Sequence, residues 1–143
     1  MTGLRKFGVY MNKLLTIDAL FLNEDRHTHN IAVLMNGKGD YAYCPIFDNG
    51  AGLLADTTMD YPLSGDVYTL MDNVQSKTVC SEFDEQLEIS EALYKANLKF
   101  KFTKNDVIEL LKNAAVYQEV IRNRVETIIF AQMRKYTYLF SAV

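Results

Sequence analysis

The chain has 143 residues, 49% of them hydrophobic and 23% charged, which suits one folded domain and excludes a disordered chain. Its net charge of −3 gives no general attraction for nucleic acid or for an anionic membrane surface, and no apolar run is long enough to span a bilayer. Cys44 and Cys80, with no CxxC spacing and no histidine at ligand distance in sequence, argue for reduced thiols in a cytoplasmic protein and against structural zinc.

Leu4, Phe7, Met11, Leu14, Leu15 and Leu22 fall on one helical stripe, so the spacing predicts an amphipathic helix over 4–22. This stretch has a basic start and an apolar body, but Asp18 and the lack of a small-residue cleavage site argue against a signal peptide. The polar run 23–30 reads as a loop. Ile31 to Met35 reads as a short buried strand, Asn36-Gly37-Lys38-Gly39-Asp40 as a turn, and Tyr41 to Ile46 as the returning strand. Residues 49–80 are turn-rich, with a short helix near 66–73. A capping-box-like start at Ser81-Glu82-Phe83-Asp84 opens a helix to about Lys95, and Thr103-Lys104-Asn105-Asp106 opens another. There Val107, Leu110, Leu111, Ala114 and Ala115 recur at helical spacing. A last helix carries Ile121, Val125, Ile128, Ile129, Tyr136, Leu139 and Phe140, with a break expected near Asn113. The expected architecture is a single domain over 1–143, mainly α with one embedded β-hairpin.

The hairpin separates two polar clusters, Asn23-Glu24-Asp25-Arg26-His27-Thr28-His29-Asn30 and Phe47-Asp48-Asn49-Gly50. Because the second strand runs back toward the start of the first, both clusters come to one end, and Asn30 can face Asp48 across a cation. Asp25, Asn30 and Asp48 are the residue types that phosphoryl transfer uses: a carboxylate beside the attacking hydroxyl, then an amide oxygen and a carboxylate as hard ligands for Mg²⁺. Arg26 suits either phosphate contact or fixing of the loop. His27 suits either proton transfer or bracing, whereas His29 reads as an exposed loop residue. Asp18 is placed to hydrogen-bond the loop from the helix before it. Asn36-Gly37-Lys38-Gly39 lacks the GxxxxGK[ST] spacing and reads as a hairpin turn.

The pattern Asn-x-Asp-Arg-His-x-x-Asn, then a hairpin, then Pro-Ile-Phe-Asp-Asn-Gly resembles the HipA-like serine/threonine kinases, clearly over about 17–57 and only in general character beyond. The resemblance implies a protein-kinase-like C-terminal lobe with Asp25 as catalytic base. It implies Asn30 and Asp48 as magnesium ligands and ATP as co-substrate, with Arg26 as the candidate phosphate contact beside them. The block Asp25-Arg26-His27-x-x-Asn30 also resembles the catalytic loop of phosphoinositide 3-kinase-like enzymes, in which the histidine takes the proton; both assignments stand open.

A kinase further needs a nucleotide lobe with a phosphate-covering loop and a lysine, and Lys6 and Lys13 lie on the predicted helix instead. The expectation is therefore a lobe inactive without an N-terminal partner lobe, supplied in cis or in trans. It would act on serine or threonine of a protein substrate, in a setting that includes a small antitoxin protein. The alternatives are a non-catalytic interaction module derived from such a lobe and a phosphotransferase for a lipid or small molecule. The lack of a basic membrane-facing patch weighs against a lipid. Gly50 and Gly52 read as backbone freedom after Asp48, and Glu82, Asp84, Glu85 and Glu88 as a solvated helix face. The nine tyrosines and eight phenylalanines are expected to be mostly core, with Tyr136, Tyr138, Leu139 and Phe140 as an alternative surface for docking on the second lobe.

Overall fold

The computed structural model describes residues 3–141. Its order is α1 (Phe7–Phe21), a 3₁₀ turn (Thr28–Asn30), β1 (Val33–Met35), β2 (Tyr41–Tyr43), α2 (Val67–Asn73), α3 (Phe83–Tyr94), α4 (Lys104–Asn113), α5 (Glu119–Lys135) and a second 3₁₀ turn (Thr137–Leu139). The architecture is thus mainly helical with one two-stranded antiparallel hairpin. No described helix is long and apolar enough to cross a membrane. Cys44 and Cys80 are free thiols.

Helix α1 organises the rest. Leu14, Leu15, Ala19 and Leu20 bury its apolar side, and it packs chiefly on α3 and also on α5. Gly8 is required there: a Cβ would lie 2.1 Å from the Tyr94 ring at the end of α3. Two buried amides latch the helices without leaving polar groups bare. Asn12 donates to Ser90 Oγ at 2.9 Å and accepts from the Asn97 backbone N–H at 2.9 Å, while Gln132 of α5 donates to the Ala19 carbonyl at 2.8 Å. The helix stops at Leu22, whose left-handed backbone (φ 52°) returns its N–H to the Asp18 carbonyl. Glycine usually takes that position; here burial of the leucine side chain offsets the cost.

The hairpin pairs Val33 with Tyr43, Leu34 with Ala42 and Met35 with Tyr41. It differs from the expected buried strand, since Val33, Leu34 and Met35 are all exposed, Met35 by 64%. A two-stranded ribbon has no second layer to cover it, and it is tethered at its base instead. Tyr43 stacks on Tyr10 with centroids 4.6 Å apart, and the Tyr10 hydroxyl donates to the Cys44 carbonyl at 3.0 Å. The positive φ of the turn falls on Gly39, while Asn36 Oδ1 accepts from the N–H groups of Lys38 and Asp40.

Among the later helices, α4 has the expected capping box, with Thr103 and Asp106 exchanging hydrogen bonds. Helix α3 does not: it begins at Phe83, so the N-cap position falls on Glu82, not on Ser81, and carries no side-chain cap. The last helix ends at Lys135, and the chain folds back so that Phe100 bridges Phe140. Of the two readings of 136–140, the core one holds and the docking surface is corrected. Tyr136 and Leu139 are core residues, and Phe140 packs on the Phe100 and Phe102 rings at 5.3 and 5.2 Å, leaving Tyr138 exposed. The stripe on α4 also departs from a core stripe: Val107 is buried, but Leu110 is 70% exposed.

Candidate functional site

Arg26 is fully buried and is the hub of the loop after α1. Its Nε and Nη2 donate side by side to Asp18 Oδ2 and Oδ1, each at 3.0 Å. Nη1 donates to the Asn30 carbonyl at 3.2 Å and to the Phe47 carbonyl, and Nη2 also donates to Asn49 Oδ1. A guanidinium has five N–H groups, and all five are used. One side chain thus ties α1, the 23–30 loop and the segment after the hairpin into a single unit. The reading of Arg26 as a phosphate contact is corrected to the bracing role, since no donor remains for a ligand. Asp18, also buried, takes a further bond from Asn23 Nδ2 at 2.9 Å, as its position on the helix suggested.

Other braces hold the same loop. Thr78 Oγ1 donates to the Arg26 carbonyl at 2.7 Å, and the Tyr61 hydroxyl donates to the Glu24 carboxylate. Burial, and next the Glu24 carboxylate beside it, push the Tyr61 hydroxyl well above the ordinary tyrosine value, so it remains a donor. Asn49, Glu24, Tyr61 and Thr78 were not marked as site residues by the sequence pattern. Asn49 stands inside Phe-Asp-Asn-Gly and had a signal there; Tyr61 and Thr78 had none, being brought in by tertiary packing.

Against this saturated frame, three groups are left open. The Asp25 carboxylate, on a half-buried residue, makes no hydrogen bond or ion pair with any described residue, although its carbonyl accepts from the His27 N–H at 3.1 Å. Asn30 is 8% exposed, and its Nδ2 donates to the Asp25 carbonyl at 2.9 Å, which fixes the amide orientation and leaves Oδ1 without a partner in the described chain. Asp48 is exposed, and its carboxylate is likewise unpartnered among the described residues. Because Arg26 Nη1 holds the Asn30 and Phe47 carbonyls together, Asn30 and Asp48 belong to adjoining segments at the base of the hairpin.

Backbone strain gathers in the same place. Asp48 has φ 56°, and Leu22, Leu53 and Leu54 have φ 52°, 55° and 57°. Left-handed conformations in non-glycine residues cost about 1–2 kcal/mol each and persist only where surrounding contacts hold them. The holding contacts are the Leu53 N–H to Phe21 carbonyl bond at 2.8 Å and the Arg26 bonds on both sides of Asp48. Gly52 serves close approach, since a Cβ would come within 2.9 Å of the Phe21 carbonyl. Gly50 has open space around it.

His27 caps the 3₁₀ turn: its Nδ1 accepts from the His29 N–H at 3.2 Å. Its Nε2 lies 3.4 Å from Asn30 Nδ2. His29 is exposed, its ring edge-on to His27 at 5.3 Å.

No three His, Cys, Asp or Glu side chains among the described residues gather into a metal-binding group. Asn30 Oδ1 and the Asp48 carboxylate nevertheless fit a hard cation of the Mg²⁺ type, which keeps water and substrate oxygens as most of its ligands. Beside the loop, a cleft of about 750 Å³ opens between α1, segment 49–57, α4 and α5, with Asn23 and Asn49 on its wall. No protein-family model matches this chain, and neither the curated proteins nor the solved structures compared with it give a match.

Proposed function

We propose that the chain is the catalytic, magnesium-holding lobe of an ATP-dependent serine/threonine protein kinase of HipA-like type. The observation that carries this reading is the contrast within the Arg26 unit: every structural donor is satisfied, while Asp25, Asn30 Oδ1 and Asp48 stay open. In this reading Asp25 accepts the proton of a serine or threonine hydroxyl, or orients that hydroxyl toward the γ-phosphate. Asn30 and Asp48 hold the magnesium, which when bound would neutralise charge on the ATP phosphates. Arg26 positions both ligand segments without touching phosphate, and His27 holds the turn that carries Asn30. The exposed apolar hairpin, Val33, Leu34 and Met35, is the surface a nucleotide-binding lobe would cover.

Two measurements test the reading. In the first, the chain is titrated with Mn²⁺ and followed by NMR. Paramagnetic broadening should centre on the Asn30 side-chain amide and the Asp48 backbone, and Asp48→Asn should remove it. Broadening centred elsewhere would refute the metal assignment. In the second, the chain is paired with a HipA-like nucleotide-binding lobe and assayed for phosphotransfer from ATP. Activity abolished by Asp25→Asn is expected; activity indifferent to that change would refute the base.

A further inference from the structure

The 750 Å³ cleft lies within the size range of small-molecule sites, and its walls are predominantly apolar, with Ile17, Phe21, Leu53, Leu111 and Val125 among them. It explains why the α4 stripe is not core: Leu110, Leu111 and Ala114 line the cleft instead of closing it. Its charges are one-sided. Asp18, the one carboxylate on the wall, is sealed by Arg26 and Asn23. Arg122 and Arg124 of α5 also line it, and neither is paired with a carboxylate among the described residues. Arg124 is 5% exposed and donates only to the Tyr61 and Pro62 carbonyls, both at 2.6 Å. Arg122 makes one long bond, Nη1 to the Leu111 carbonyl at 3.4 Å, and its buried Nε has no partner. Glu119 and Glu126 border a smaller groove that Arg122 also lines, but neither forms an ion pair with it.

Arg122 is half-buried, and a cation with no carboxylate partner beside a largely apolar wall is held less favourably than a paired one. The Nε of Arg122 is sealed from solvent, but the terminal Nη1/Nη2 edge of a guanidinium also presents two parallel N–H groups spaced for the two oxygens of a carboxylate, and Nη2 has no partner among the described residues. We propose that this cleft binds an amphipathic monocarboxylate, its apolar body between α1 and α4 and its carboxylate on the terminal Nη1/Nη2 edge of Arg122. Neither Asp25 nor Asp48 lines the cleft, and the proposal does not depend on the kinase reading.

The test is calorimetric titration of the full chain with decanoate and with 1-decanol, with the bound site mapped by amide chemical shifts. Decanoate should bind saturably, shifting amides of Leu53, Leu111 and Val125. Arg122→Gln should weaken decanoate about tenfold, as expected for a lost charged hydrogen bond, and leave decanol nearly unchanged. Ala114→Trp, which fills the cleft from α4, should remove both. Arg122→Lys keeps the charge but loses the fork, so an intermediate loss is expected and serves if the glutamine variant does not fold. No saturable binding, shifts centred elsewhere, or decanoate and decanol binding alike in the native and Arg122→Gln chains would overturn the proposal.

Discussion

Asp18–Arg26 and Asp84–Lys135 are the two carboxylate–cation pairs among the described residues, and they sit in opposite surroundings. The first has its closest contact at 3.0 Å with both side chains at 1% exposure or less; the second is closer, at 2.7 Å, but about half exposed on each side. The shorter pair is the weaker one in consequence. Water already solvates Asp84 and Lys135, so losing one partner strands nothing. Arg26 has no water to return to, and its other donors hold the two segments that carry Asn30 and Asp48. Burial and the number of groups depending on a charge decide its importance; distance does not.

The largest expected effect comes from breaking the inner pair. Asp18→Asn leaves a buried guanidinium uncompensated and should cost about 3–5 kcal/mol in urea unfolding. An equal loss from Lys135→Ala would undo the comparison. Next is the packing behind the site. Gly52→Ala forces the 49–54 segment away from the Phe21 carbonyl and should cost about 1–3 kcal/mol, with the amide signals of Asn49 and Leu53 shifting.

The outer pair should respond weakly, and in a pH-dependent way. Burial alone would raise the Asp84 carboxyl, but the Lys135 and Tyr136 hydrogen bonds outweigh it and hold the group below its ordinary value of 3.8. With a depressed folded value, the stabilisation is present above that ordinary value and is lost as pH falls through the folded one. Lys135→Ala should therefore cost under about 1 kcal/mol at pH 7, and this penalty should shrink below about pH 4. Tyr136 has the opposite sign. Burial, then the Asp84 hydrogen bond, raise its hydroxyl above 10.0, so its share persists below pH 10 and fades only as the pH climbs through the folded value.

The smallest stability effect is expected at the open groups themselves. Asp25→Asn and Asp48→Asn should change stability by about 0.5 kcal/mol or less, since neither carboxylate has a partner to lose. Asp48→Gly relieves a left-handed backbone and should be neutral or stabilising by up to about 1 kcal/mol. The same three changes should abolish phosphotransfer in the paired-lobe assay. A stability loss as large as that of Asp18→Asn would mean that Asp25 or Asp48 is part of the frame.

Particular residues show how far sequence reasoning reaches. The 23–30 loop, the hairpin and the return of its second strand follow from turn chemistry and period-2 spacing, which act over a few residues. Asp18 was readable as a support because it lies one helical turn from the loop. The buried state of Arg26 was not readable: a guanidinium beside two candidate ligands looks the same whether it meets phosphate or five internal acceptors. The Leu110–Ala114 stripe had the period of a core face, and periodicity cannot tell a core from the wall of a cleft.

The sequence by itself determined the mainly helical chain, the single embedded hairpin, and the candidate set Asp25, Asn30 and Asp48, because local backbone preference and side-chain type are properties of neighbours along the chain. Only the tertiary structure decided that Arg26 braces, that Tyr136 and Leu139 are core while Val33 to Met35 are exposed, and that two arginines of α5 line an apolar cleft with no carboxylate partner among the described residues. Those outcomes depend on which surfaces lose water and which charges find partners. Partners such as Arg26 and Asn49, or Arg124 and Tyr61, are far apart in sequence and meet only when α1, the hairpin base and α5 pack together.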